Sequence, residues 1–231
     1  IFFRSPRIMA QPQLKLIYFD IPGKAEAIRL ALYFQDLKFE DYRFKDREEF
    51  MAMKTSGELP FGQVPALLVD GNMLIQSAAI LRYVGKLGKS WKSWGLYPDD
   101  PILAARVDAI VDQEADAFVG VRVANYKERF GFAHLAEDEG ALASVWKAQY
   151  EEIIPRHLGQ LQQQLDASAT GWLAGTQGPS IADFFWVPSL MALQKGRSGD
   201  ADVLKAFPRL EALVGRFLAL PKIAEYYQNR S

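Results

Sequence analysis

Apolar residues follow two different periods in the first ninety residues of the chain. Short continuous apolar runs are typical of buried strands, and a spacing of three to four residues is typical of helices. The predicted elements are a strand at 14–19, a helix at 24–35, a strand at 39–44, a hairpin at 66–75 around Asp70–Gly71–Asn72, and a helix at 77–88 with Ser77 as its N-cap. Their order is βαβ followed by ββα. The polar segment 46–56 is assigned to neither class.

Only helical periodicity appears after residue 102. The predicted helices span 102–130, 139–168, 180–196, 201–219 and 221–228. Between the two regions, "KSWKSWGLYPDDP" lacks periodicity and ends in Pro-Asp-Asp-Pro, which is typical of a linker. We therefore predict an α/β domain at 13–88, a linker at 89–100 and an all-α domain at 101–231. Residues 1–12 are interpreted as a disordered leader or cloning remnant outside the fold.

Charge and cysteine content exclude several classes of function. The 231 residues carry a net charge of -1, so no nucleic-acid or membrane partner is expected. There is no cysteine, so sulfur chemistry would need a sulfur atom from the ligand, and the composition fits a reducing compartment without proving one. The two histidines, His134 and His157, are far apart, and no metal site is predicted. No apolar run reaches the roughly 18–20 residues of a membrane span.

Tyr18 stands where the first predicted strand gives way to the first helix, in "LKLIYFDIPGKAEAIRLAL". A tyrosine at a strand end often only packs its ring and leaves its hydroxyl in water. A chemical role is the alternative, because ligands in α/β sheets collect at the carboxyl ends of strands, next to helix N-termini. Taken alone, this stretch favours packing.

Three other short segments each allow a structural and a functional interpretation. Val64–Pro65 opens a strand with a proline, which is either an ordinary trans start or a cis step that exposes a backbone edge to a peptide. Gln76 and Ser77 at a helix N-terminus either cap that helix or bind a small carboxylate. Ser180 and Asp183 form a capping-box pattern, which we interpret as folding architecture.

Taken together, "YF", "PFGQVPALLVDG", "QSAAILRYV" and "SIADFFW" resemble the cytosolic glutathione transferases, from about residue 13 to near the end of the chain. The resemblance is strongest to the tyrosine-type classes and, among these, to the sigma class, which includes glutathione-dependent prostaglandin D synthases. It implies a thioredoxin-like α/β domain followed by an all-helical domain. It also implies a cytoplasmic, homodimeric enzyme that uses glutathione as co-substrate and needs no metal.

The resemblance implies roles for individual residues as well. Tyr18 would be the catalytic residue, with its hydroxyl facing the glutathione sulfur. Glutathione would further contact the backbone of Val64 before cis-Pro65, Gln76 and Ser77 at the γ-glutamyl carboxylate, Lys54 and Gln63 near the glycyl end, and Asp112 of the partner subunit at the γ-glutamyl amine. Lys24 and Phe50 stand where sigma-type enzymes usually have an arginine and a tryptophan. Both changes would weaken or alter glutathione binding, because a bidentate cation and an indole donor are lost.

The same resemblance places the electrophilic substrate, expected to be small and apolar, between the two domains. The residues expected near it are Phe19, Ile21, Val119, Arg122 and Tyr126. A homodimer is also expected because Val107, Val111 and Phe118 accompany Asp112 on one predicted helix and give it a partly apolar face.

Two alternatives to conjugation stay open. One is a prostaglandin isomerase, although the tryptophan that stacks on inhibitors in those enzymes has no counterpart in residues 118–124. The other is a non-catalytic protein of the same fold, either crystallin-like or a carrier of hydrophobic ligands. Tyr18, Gln76 and Ser77 favour an enzyme, because a purely structural protein needs none of them.

Overall fold

The computed structural model describes residues 11–88, 95–195 and 202–229, which fall into two units, Ile1–Val84 and Gly85–Ser231. Most of the predicted leader at 1–12 and half of the predicted linker at 89–100 lie outside the described residues. The domain bounds derived from the sequence therefore stay a prediction. No helix among the described residues is long and apolar enough to cross a membrane.

The first unit has the predicted order of elements, with one added helix. Its elements are β1 (Leu14–Phe19), α1 (Glu26–Phe34), β2 (Glu40–Phe44), α2 (Arg47–Thr55), β3 (Ala66–Val69), β4 (Asn72–Ile75) and α3 (Ser77–Leu87), whose last three residues lie past the unit boundary at Val84. The strands form one mixed sheet in the order β2-β1-β3-β4, with β1 parallel to β2 and antiparallel to β3. This arrangement confirms the predicted thioredoxin-like α/β fold.

The polar segment that the sequence left unassigned forms α2. Asp46 caps this helix by accepting the Glu49 N–H at 2.8 Å. No residue of α2 is buried, and its apolar side is limited to residues such as Phe50 and Met53, which pack partly buried against the core, so the apolar signal for a helix is weak. The hairpin between β3 and β4 does follow its sequence signal, because Asp70 and Gly71 have φ values of 47° and 83°.

The second unit is entirely helical. Its helices are α4 (Pro101–Ala117), α5 (Val119–Asn125), α6 (Glu139–Ala148), α7 (Ile154–Asp166), α8 (Ile181–Lys195), α9 (Pro208–Leu218) and α10 (Pro221–Gln228). The continuous helix predicted over 102–130 was wrong, since it breaks at Phe118, where φ is -110° and ψ is 20°. The helix predicted over 201–219 was also too long, because a 3-10 turn at Val203–Ala206 precedes α9.

The core of the second unit lies around α8. Trp186 is fully buried and its indole N–H donates to the Ile110 C=O at 2.7 Å. The predicted capping box is confirmed: the Asp183 carboxylate accepts the Ser180 N–H at 2.8 Å and the Ser180 hydroxyl at 3.1 Å. Burial of Asp183 raises its pKa to about 6, although these hydrogen bonds and one from the Leu173 N–H lower it.

The apolar side of α4 faces inward. Val107 and Val111 are 0% and 1% exposed and belong to the core of their own unit. The Phe118 ring is half-buried, 6.2 Å from that of Trp186. The sequence argument that these side chains form a face for a partner subunit was therefore wrong, because hydrophobic periodicity cannot distinguish burial within a chain from burial between chains.

Candidate active site

The sheet register brings three predicted site segments to one end of the first unit. Ile17 pairs with Ala66, and Ala66 pairs with Ile75, so one row crosses β1, β3 and β4. The next residue outward on each strand is a predicted site residue, namely Tyr18, Pro65 and Gln76. Tyr18 therefore shares one edge with Pro65 and Gln76, which lie 47 and 58 residues further along the chain.

The Tyr18 hydroxyl lies at this edge and faces the 3-10 turn Gly23–Ala25, which leads into α1. Tyr18 is only 8% exposed, and its Oη accepts the Lys24 N–H at 3.1 Å. A phenolic hydroxyl can accept and donate at the same time, so accepting this bond does not consume its proton. A hydrogen bond accepted by an O–H also polarises it and makes it a better donor. The group is thus suited to donate to an anion.

Gly23 permits this approach of backbone to ring. A Cβ at position 23 would lie 2.5 Å from Tyr18 Oη and 2.9 Å from a ring carbon, and the φ of Gly23 is +43°. Both the space and the backbone conformation therefore require glycine here. The turn residues predicted from the sequence are the ones that let Tyr18 reach the Lys24 N–H.

The Val64–Pro65 peptide bond is cis, which decides the alternative that spacing alone left open. The β1–β3 ladder ends at Ile17 and Ala66, so Val64 lies beyond the last paired residue. Lys54 approaches the same loop, because a Cβ on Gly62 would lie 3.2 Å from Lys54 Cε. Gln63, half-buried, lies between Gly62 and Val64.

Gln76 and Ser77 form the junction between β4 and α3. Gln76 is exposed and has a φ of 69°, a conformation that L-residues adopt rarely and mainly at functional sites or tight turns. Its C=O accepts the Ile80 N–H at 2.9 Å, so Gln76 occupies the N-cap position and Ser77 is the first helical residue. The prediction that Ser77 is the N-cap was wrong by one position. Ser77 still stands at a helix N-terminus whose first turn has no acidic residue.

A buried arginine that sequence reasoning missed organises the loop after β1. Arg29 on α1 is fully buried, and its guanidinium donates to Asp41 at 3.1 Å, to the Ile21 C=O at 2.7 Å and to the Phe19 C=O at 3.2 Å. Glu26, also buried, lies 3.7 Å away. The Arg29 guanidinium lies 5.7 Å from the centre of the Tyr18 ring. The only signal in the sequence was a lone cation within the apolar helix "EAIRLALYF".

Phe19 and Phe50, two further predicted site residues, pack against each other. Their ring centres are 5.1 Å apart, and each lies within 5.6 Å of the Phe44 ring. Both are only partly buried in this aromatic cluster. Contact of Phe50 with glutathione and of Phe19 with the electrophile stay predictions.

The remaining predicted residues lie on one unit or the other, and all of them except Arg122 are exposed. Ile21 in the first unit is 52% exposed. In the second unit, Asp112 is exposed on α4, and Val119 and Tyr126 on or next to α5 are 49% and 56% exposed. Arg122 is half-buried and its guanidinium donates to the Ala115 C=O.

The fold and the site define a two-domain protein with a thioredoxin-like first unit, in which a buried tyrosine hydroxyl lies at the end of β1. Residues 14–86 match the family model described as Glutathione S-transferase, N-terminal domain, and residues 125–230 match Glutathione S-transferase, C-terminal domain. The chain is 34% identical over 219 residues to glutathione S-transferase 1 of Ascaris suum, which covers 95% of this chain and 97% of that protein. The chain belongs to the glutathione S-transferase family.

Two further similarities bear on its function. Hematopoietic prostaglandin D synthase of Gallus gallus is 32% identical over 221 residues, covering 95% of this chain and 97% of that protein. The solved structure of a monomeric glutathione S-transferase from the hookworm Necator americanus has a TM-score of 0.72 at 29% identity, covering 95% of this chain and 98% of that one.

Proposed function

We propose that this protein is a glutathione transferase in which Tyr18 stabilises the glutathione thiolate, which then attacks small apolar electrophiles. The observation that carries the proposal is the Tyr18 hydroxyl at the end of β1, accepting the Lys24 N–H at 3.1 Å. A hydroxyl so placed can donate to a sulfur anion at the sheet edge. The proposal includes membership of the sigma class, a cytoplasmic location and a role in detoxification.

The other residues of the sheet edge would hold the peptide. The backbone of Val64 beside cis-Pro65 lies beyond the β1–β3 ladder, where it can pair with the cysteinyl unit. Gln76 and Ser77 would bind the γ-glutamyl carboxylate, assisted by the positive end of α3. Lys54 and Gln63 would lie near the glycyl end, with Lys24 and Phe50 completing the site from the neighbouring helices.

Turnover of an aryl halide with glutathione tests this proposal. The expected result is enzyme-dependent loss of thiol together with formation of the thioether. A protein that binds glutathione but turns over no electrophile would instead fit the crystallin-like or carrier alternative.

A second candidate is a glutathione-dependent prostaglandin isomerase, which the similarity to hematopoietic prostaglandin D synthase favours. The two activities differ in what happens to the thiol. Conjugation consumes one glutathione per turnover, whereas isomerisation returns it. The number of thiols consumed per molecule of product formed, measured on one sample, therefore distinguishes the two candidates.

Ser77→Ala is expected to weaken glutathione binding without slowing the bound complex. The hydroxyl would contact a carboxylate that does not react, so its loss removes binding that is equal in ground and transition states. A hydrogen bond to a charged group is worth about 1.5–3 kcal/mol, so KM for glutathione should rise about tenfold or more while kcat stays nearly constant. Steady-state kinetics with varied glutathione measures both.

Ser144→Ala is the matched control, because Ser144 is exposed on α6, where its hydroxyl donates to the Gly140 C=O of the same helix. It should leave both constants unchanged. An equal fall in kcat and kcat/KM for Ser77→Ala would assign Ser77 to the transition state and contradict the proposed role.

We further propose a homodimer in which Asp112 of one subunit reaches the γ-glutamyl amine bound to the other. Sedimentation at micromolar concentration should give about twice the chain mass of 26.0 kDa. Asp112→Asn should then lower glutathione affinity without dissociating the dimer, whereas Asp116→Asn, an exposed carboxylate one turn later on α4, should not. A monomer with full glutathione affinity would refute the role of Asp112, and the Necator americanus relative is described as monomeric.

A further inference from the structure

The break between α4 and α5 leaves backbone groups that neither helix can pair internally. Ala117 is the last residue of α4, and Gly120 lies in the first turn of α5. The last C=O groups and the first N–H groups of a helix have no partner within it. Left unpaired in a protein interior, such groups destabilise the structure around them.

One buried side chain pairs with both of these groups. The Gln149 amide oxygen accepts the Gly120 N–H at 2.8 Å, and the Gln149 amide nitrogen donates to the Ala117 C=O. Gln149 is 2% exposed. A single planar amide thus bridges the end of one helix and the start of the next, 29 to 32 residues away in sequence.

Two local features place the amide there. Gln149 begins a five-residue π-helical segment, Gln149–Ile153, between α6 and α7, and such segments are frequent at functional positions. On the opposite side, Gly120 has no Cβ, and one built there would overlap the Gln149 amide oxygen and lie 3.2 Å from its Cδ. Position 120 therefore excludes any side chain while the amide bridge is present.

The bridged helix carries the residues that the proposed function assigns to the electrophile. Val119 opens α5, Arg122 lies within it and Tyr126 directly follows it. A change in the angle between α4 and α5 would move all three together. We infer that Gln149 is a positioning residue that fixes α5 and thereby sets specificity for the electrophile, an inference that rests on the proposed function for the roles of these three residues.

The test combines hydrogen exchange with kinetics of Gln149→Met, which keeps the length of the side chain and removes both hydrogen bonds. Amides of residues 117–125 should exchange at least tenfold faster than in the wild type. KM for an aryl halide should rise several-fold and the preference among halides of different size should change. KM for glutathione should stay within about twofold. Gln163→Met, the same substitution at an exposed position of α7, should alter none of these.

Gly120→Ala provides the sharper test, because it keeps Gln149 intact. Alanine favours helix over glycine, so intrinsic propensity alone predicts slower exchange of α5. The bridge predicts faster exchange, since the methyl group displaces the amide. In a Gln149→Ala background there is no side-chain amide for the new methyl group to displace. Gly120→Ala should then slow the exchange of α5, as helix propensity predicts. This reversal of sign is the expected signature of coupling between the two positions.

Slower exchange in Gly120→Ala alone would overturn the bridge. Faster exchange of 117–125 in Gln149→Met with an unchanged KM and unchanged preference for aryl halides would overturn the role in specificity. If the wild type turned over no electrophile, the proposed function and this specificity role would both fail. Hydrogen exchange would still decide separately whether Gln149 holds α5.

Discussion

Tyr18→Phe should raise the pKa of the bound glutathione thiol by about one to two units. The substitution removes one oxygen, keeps the ring that packs beside Phe19 and Arg29, and should leave the fold intact. The effect arises because the hydroxyl, polarised by the Lys24 N–H, would donate to the sulfur only when the sulfur is an anion.

One hydrogen bond from a hydroxyl would be strong enough to supply the thiol pKa shift that the proposed mechanism needs. A thiol with a pKa of about 8.5 is about 3% ionised at pH 7, and a pKa lower by about two units makes about three-quarters of it thiolate. That shift corresponds to about 2.7 kcal/mol, within the 1.5–3 kcal/mol of one hydrogen bond to a charged group. Without the hydroxyl, the thiolate fraction at pH 7 should fall about 3- to 25-fold, and conjugation with it. The greater nucleophilicity of a more basic thiolate offsets part of this loss.

The measurement is thiolate absorbance of the binary complex as a function of pH, paired with the pH dependence of conjugation. Both curves should shift to higher pH by the same amount in Tyr18→Phe. Affinity for glutathione should change little at a pH where the thiol is protonated. Tyr42→Phe is the matched control, because it also removes a phenolic oxygen and one hydrogen bond, here to Glu49. An unshifted titration in Tyr18→Phe would mean that Tyr18 only packs and that another donor activates the sulfur.

Local signals in the sequence were sufficient for the elements that carry this site. The apolar run ending at Tyr18, the Pro22–Gly23 turn and the Asp70–Gly71–Asn72 hairpin each depend on neighbours only a few residues away. The order of elements then follows, and the sheet register aligns Tyr18, Pro65 and Gln76. The cis state of Val64–Pro65, however, was predicted from the resemblance, because spacing alone favours a trans start.

Features that depend on distant partners could not be predicted. The apolar periodicity runs without interruption over 102–130, so it predicts one helix. The observed break is bridged by the side-chain amide of Gln149, which pairs with a backbone group on each side of it. The inward direction of Val107 and Val111 depends on helices packed later in the chain. Arg29 gave only a lone charge in an apolar helix, and its partners lie on a loop and on β2.

Arg29→Met should cause the largest loss of stability that we predict for any single substitution. The side chain is fully buried, and its removal takes a cation away from Asp41 and from the buried Glu26, and a donor away from the carbonyls of Phe19 and Ile21. Breaking a buried ion pair on one side costs about 3–5 kcal/mol, because the remaining charge stays desolvated. For a protein of this size that corresponds to a fall in Tm of about 6–20 °C.

Arg43→Met tests whether the loss of stability expected for Arg29→Met is due to the burial of that arginine or to the loss of any arginine beside Asp41. Arg43 bonds the same Asp41 at 2.7 Å and also Asp20, but its side chain is 31% exposed. Exposed ion pairs contribute about 0–1 kcal/mol, so this variant should unfold close to the wild type. Thermal and urea unfolding of both variants, followed by a signal from the first unit, gives the comparison. Equal Tm values for the two variants would contradict the argument that the burial of Arg29 makes its loss so destabilising.

Arg29→Lys connects this stability to the proposed chemistry. Lysine keeps the charge near Asp41 but lacks the planar fork that reaches the carboxylate and two loop carbonyls together. The loop from Phe19 to Pro22 should loosen while the unit stays folded, and the Lys24 N–H should then meet Tyr18 Oη less often. The pKa of the bound thiol should rise in the same direction as in Tyr18→Phe and by a smaller amount. A folded Arg29→Lys variant with an unshifted thiol titration would show that Arg29 supports the unit without orienting Tyr18.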